Sequence, residues 1–128
     1  MPTPIETVSA FCAAFAEDGG RPAVRRWFTP QTRWVNEGVA VTTGIDEAIG
    51  FIDGAETTMG IATVHIDMLA IAADGNRVLT ERVDRFERAD GSEIGRVTLM
   101  GIFELEGEKI VAWRDYFDTN AVQQFGAA

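Results

Sequence analysis

From residue 62 onward the chain reads as four long runs of strand-forming residues, roughly 62–73, 77–88, 93–105 and 109–118, joined by Asp74-Gly-Asn, Ala89-Asp-Gly-Ser and Glu106-Gly-Glu. Linkers of this kind are hairpin signals, because glycine, aspartate and asparagine tolerate the backbone of a tight turn between antiparallel strands. The second half of the chain is therefore expected to be an antiparallel meander. The first half follows another rule. Thr3, Pro4 and Glu6 supply an N-cap, a proline in the first helical turn and the reciprocal acid of a capping box. Val8, Phe11, Cys12 and Phe15 then recur at helical spacing until Gly19-Gly20, which predicts a helix over 4–18. A second short helix is expected from Pro22, with Val24, Trp27 and Phe28 on one side, Arg21, Arg25 and Arg26 on a solvated face, and Thr29-Pro30 ending it. A strand over 32–37 and an extended piece over 39–43 predict a hairpin around Gly38. Residues 46–52 read as a helix weakened by Gly50 and Gly54, the stretch to Gly60 as a mobile lid, and 120–125 as one helical turn closing a mouth. Helices followed by a meander give an α+β class, a curved sheet wrapped onto N-terminal helices.

Alternation in the last strand exposes the chemistry. Between Lys109 and Asp118 a period of two places Val111, Trp113, Asp115 and Phe117 on one face, so a lone acid lands among bulky apolar groups. A buried carboxylate is costly unless paired. The segment Val78–Phe86 offers the partner, since Thr80, Arg82, Asp84 and Phe86 also share a face. A guanidinium between two carboxylates suits bidentate contacts to both. Two acids in one dry pocket titrate differently, one staying protonated as general acid and the other ionised as general base, which points to hydrolytic or isomerising chemistry without a metal. The candidate pocket lining is Phe15, Trp27, Phe86, Val97, Leu99, Trp113 and Phe117, suited to an apolar small molecule. Tyr116 and Asp118 fall on the opposite face and read as outer-surface or dimer contacts.

At 128 residues the chain is expected to form one domain, 1–128. Twenty acidic against 11 basic residues, a net charge of −9, set it against nucleic-acid phosphates and anionic lipid surfaces. No signal-like N-terminus and no apolar run of about 18 residues is present, so a cytoplasmic location is expected. Cys12, the single cysteine, reads as core, and His65, the single histidine, lacks the neighbours of a metal site.

Thr80-Glu-Arg-Val-Asp84, the run Gly101 to Asp118 with its Trp113-Arg-Asp-Tyr-Phe-Asp118, and more loosely Arg33-Trp-Val-Asn36 resemble limonene-1,2-epoxide hydrolase, a branch of the nuclear transport factor 2-like, SnoaL-like superfamily that also holds ketosteroid isomerases and polyketide cyclases. The resemblance implies a cone-shaped fold with a deep pocket, a homodimer, and cofactor-free, one-step opening of a hydrophobic epoxide by water. It implies that Asp115 deprotonates the water, Asp84 protonates the epoxide oxygen, Arg82 holds both, and Asn36 positions the water. Trp34 falls where the family usually places a tyrosine that helps hold that water, and an indole can only donate. The residues themselves leave open an isomerase or cyclase of the same fold, or a small-molecule binder without catalysis.

Overall fold

The computed structural model describes residues 1–126, and the last two residues of the expected 1–128 domain lie outside the described residues. Helix α1 (Pro4–Ala14) begins as its sequence dictates, the Thr3 hydroxyl accepting the Glu6 N–H at 3.1 Å and the Glu6 carboxylate accepting the Thr3 N–H at 2.9 Å. It stops at Ala14, short of the expected residue 18, because Asp18–Gly20 form a separate 3-10 turn with φ of 46°, 68° and 100°. Helix α2 (Arg21–Trp27) runs directly into strand β1 (Phe28–Asn36), so Phe28 opens a strand rather than closing a helix. Thr32 turns inward there, its hydroxyl accepting the Thr29 N–H and donating to the Ile110 carbonyl across a register shift. Arg21 is not on a solvated face. Its guanidinium donates to Asp53 at 3.0 and 2.8 Å and to Glu56 at 3.2 Å, and its side chain is only 12% exposed.

Strand β2 (Ala40–Thr43) pairs antiparallel with β1, which is the hairpin expected around Gly38. Helix α3 (Gly44–Met59) replaces both the expected short helix and the lid. Gly50 and Gly54 do not break it, because both face open space while Ala48 and Ile52 anchor the opposite flank in the core. Strands β3 (Thr63–Asp74), β4 (Arg77–Glu87), β5 (Glu93–Glu106) and β6 (Lys109–Tyr116) form the meander. The sheet order is β2-β1-β6-β5-β4-β3, antiparallel throughout except where β1 lies parallel to β6. The architecture is thus α+β, a curved sheet wrapped on helices, and its inner face meets α1, α2 and α3 around Val8, Phe11, Val24, Phe28, Phe103 and Leu105. Cys12 is buried in this core, and burial pushes its thiol up to about 12.

Strict alternation fails at one point in β6. Glu104 pairs with Ala112 and Leu105 with Ile110, so Val111 is bulged out of the ladder and Ile110, fully buried, takes the inward place expected for Val111. Beyond β6, Asp118 caps helix α4 (Thr119–Gln123) by accepting the Asn120 N–H at 2.9 Å, and a 3-10 turn over Gln124–Gly126 follows. Among the described residues, no helix is long and apolar enough to cross a membrane.

Candidate active site

The ladder stacks the site in rows. Trp34, Trp113 and Phe103 are successive cross-strand partners on β1, β6 and β5, and their rings stack as a floor, Trp113 lying 4.8 Å from Trp34 and 5.0 Å from Phe103. The next row inward holds Asn36, Asp115, Gly101 and Thr80, again one from each adjacent strand. Arg82, on β4, must reach Asp115, on β6, across the intervening β5, a span of about 10 Å between strand axes. Gly101 makes the crossing possible. A Cβ there would stand 2.6 Å from Arg82 Nη1 and would overlap Asp115 Oδ1, so only the residue without a side chain leaves room.

Arg82 is fully buried, and each of its N–H groups has a partner. Nε donates to Asp84 Oδ1 at 3.3 Å and Nη2 to Asp84 Oδ2 at 3.0 Å. Nη1 and Nη2 donate to Asp115 Oδ1 and Oδ2, both at 2.9 Å. The remaining Nη1 proton goes to the Thr80 hydroxyl at 3.2 Å, which itself donates to the Gly101 carbonyl at 2.9 Å. Asp115 Oδ1 also accepts the Trp113 indole N–H at 2.8 Å. One oxygen of Asp115 therefore carries two donors and the other carries one, so the open lone pair is on Oδ2.

The electrostatics follow from two acids sharing one buried cation. Burial would lower the Arg82 guanidinium, but the carboxylates of Asp115 and Asp84 outweigh it and hold the group charged. Burial raises the Asp84 carboxyl above the ordinary carboxylate range, opposed by Arg82 and reinforced by the Asp115 charge. One cation facing two carboxyls in a low-dielectric site leaves an excess of negative charge, which favours retaining a proton among the three groups.

Asp84 and Asp115 open onto a cavity with an empty volume of about 890 Å³, its mouth included. Phe15, Phe86, Val97, Leu99, Trp113 and Phe117 line it, with Trp34 and Asn36. Trp27 does not. It packs against Phe11 in the core with the Arg26 guanidinium 4.3 Å above its ring, because α2 presents that face to α1 rather than to the cavity. His65 stands outside as well, bonded to Glu87 at 3.0 Å. The Trp34 indole N–H is buried and has no hydrogen-bond partner among the described residues.

A family model of the limonene-1,2-epoxide hydrolase catalytic domain matches residues 2–125. The chain belongs to that family. Among solved structures, an LEH-like epoxide hydrolase from M. tuberculosis shares 25% identity at a TM-score of 0.74, over 97% of this chain and 89% of that one. An NTF2-like protein of unknown function from Burkholderia pseudomallei superposes at a TM-score of 0.82 with 22% identity, over all of both chains. A protein with a ketosteroid isomerase-like fold from Catenulispora acidiphila, in complex with trimethylamine, gives 0.78 and 21%, over 98% of this chain and 95% of that one. The fold is thus the nuclear transport factor 2-like one.

For a member of the epoxide hydrolase family, sequence reading missed three contributions to this site. Gly101 is given no role of its own. Trp113 reads as pocket lining, although its spacing of two from Asp115 already puts its indole N–H on the acid's own face. The far wall is formed by Phe51, Ala55 and Met59 of α3 and by Val122 and Phe125; the sequence placed a lid and a closing turn in these segments without naming the side chains that line the cavity.

Proposed function

We propose that this chain is a cofactor-free epoxide hydrolase that adds water to a hydrophobic, cyclic epoxide to give a vicinal diol. The observation that carries the reading is one buried guanidinium bonded to both Asp84 and Asp115 at the wall of an apolar cavity. Asp115 Oδ2, the oxygen with an open lone pair, takes a proton from water, and the water oxygen attacks a ring carbon. As the carbon–oxygen bond of the ring breaks, Asp84 passes its proton to the departing oxygen. One proton is gained at Asp115 and one lost at Asp84, so the site keeps its charge through the step, and exchange with solvent resets it. Asn36, the ladder neighbour of Asp115 on β1, lies beside that water position and orients it through its amide. Trp34 serves this site as a wall, stacked flat on Trp113.

Asp115→Asn is the direct test. Diol formation from a panel of cyclic epoxides is expected to fall by about 10²–10⁴-fold, the usual contribution of a general base, with the circular dichroism spectrum unchanged. A variant that turns over at the wild-type rate would end this reading. Water labelled with ¹⁸O separates hydrolysis from the isomerase and cyclase alternatives, since hydrolysis alone delivers solvent oxygen into the product. The homodimer that the resemblance implies would use the outer sheet face, where Leu79, Met100 and Tyr116 stand exposed.

A further inference from the structure

One wall of the cavity is built by neither the sheet nor α3. It is the strap Thr119–Gly126, which contributes Val122 and Phe125 to the lining. Helix α4 of this strap has no buried residue, and among the described residues no hydrogen bond or ion pair joins the strap to the sheet or to α3. Among the described residues, apolar contact alone holds it down.

Those contacts fall on two glycines. At one end the Thr119 methyl lies 2.9 Å from where a Cβ on Gly38 would stand. At the other, the Phe125 ring occupies the position a Cβ on Gly95 would take, and it packs on Phe86 with centroids 5.1 Å apart. Gly38 has a φ of +80° and is required by its turn in any case. Gly95 is different. It lies inside β5, paired with Phe86, at a φ open to any residue, where glycine weakens a strand and marks the close approach of another group. That group is Phe125.

We propose that Phe125, seated in the notch over Gly95, is a specificity-determining residue of this site. The strap it anchors closes the cavity over an apolar substrate and sets the largest ring that fits. The substrate class rests on the proposed hydrolysis, but the closure does not. Asp84, Asp115 and Asn36 stand on β4, β6 and β1, so moving the strap changes the space above them and leaves the acid and base in register.

Phe125→Ala and Gly95→Ala test this together. The first removes the ring, and the second puts a methyl group in its seat while keeping it. Of the three tryptophans, Trp34 and Trp113 line the cavity and Trp27 is packed in the core, so acrylamide quenching of tryptophan fluorescence reports the closure without reference to catalysis. Both variants are expected to quench more strongly than wild type. Both should raise KM for cyclohexene oxide by about tenfold, the loss of roughly 1.4 kcal/mol of aromatic contact, while gaining relative kcat/KM on bulkier bicyclic epoxides. The double variant should match Phe125→Ala alone, because the added methyl acts only through the ring. Unchanged quenching and size preference in Phe125→Ala would overturn the proposal, as would a Gly95→Ala effect that adds in full to it, since that would place the damage in β5. Quenching that responds in a protein inactive on every epoxide would uphold the strap and refute the proposed hydrolysis.

Discussion

Arg82 shows how far one side chain can organise a site. Its five donors meet five acceptors, so Arg82→Lys, with three donors, strands at least two of them in the interior. The variant is expected to lose at least about tenfold in kcat/KM despite keeping the charge, and equal rates would contradict the bridging role. Asp84 carries a pH signature of definite sign. Its folded carboxyl is raised, so the fold binds a proton there more tightly than the unfolded chain does. That stabilisation is complete below the unfolded carboxyl range of about pH 4 and is lost as pH rises through the folded value. Asp84→Asn, which mimics the neutral acid, should therefore be inactive yet gain stability relative to wild type in urea titrations as pH rises above about 4. Under the proposed hydrolysis, wild-type activity should likewise fall on the alkaline side as Asp84 loses its proton. The pairing of Arg82, Asp84 and Asp115 was legible because a period of two puts charged groups where only apolar ones belong. Gly101 was not, since an absent side chain is informative only once its neighbours are known. Gly101→Ala is expected to cost about 3 kcal/mol or more of stability, because the new methyl group prises apart a buried ion pair, and diol formation should collapse with it.

At the scale of elements, legibility followed the kind of signal each segment carries. The capping box of α1 and the turns of the meander are local chemistry, and they stand where the residues place them. Helix α3 was underestimated because Gly50 and Gly54 lower local propensity, whereas the burial of Ala48 and Ile52 against β1 is tertiary and decides the outcome. Trp27 was assigned to the cavity because an amphipathic stripe names the buried face of a helix without naming what lies against it. Arg21, read as solvated, instead clasps α3 through Asp53 and Glu56. Both acids are largely exposed, so Arg21→Ala should lower stability by only about 0.5–1 kcal/mol. A larger loss in a thermal melt would mean that the clasp, rather than the packing of α3, holds the cavity wall.

For the whole molecule, the decisive join is the parallel one between β1 and β6. Every other neighbouring pair in the sheet is made by strands consecutive in the chain, but this one unites residues 28–36 with 109–116. It alone brings Asn36 beside Asp115 and lays Trp34 on Trp113. Contacts so distant along the chain are slow to form, because loop-closure entropy opposes them before they return anything. On a ribosome the β3–β4–β5 hairpins could pair as they emerge, whereas the cavity has no counterpart on the nascent polypeptide until β6 has left the exit tunnel. Synthesis that stalls before that point would yield sheet without a hollow, exposing on its unfinished edge the aromatic groups that the completed fold conceals.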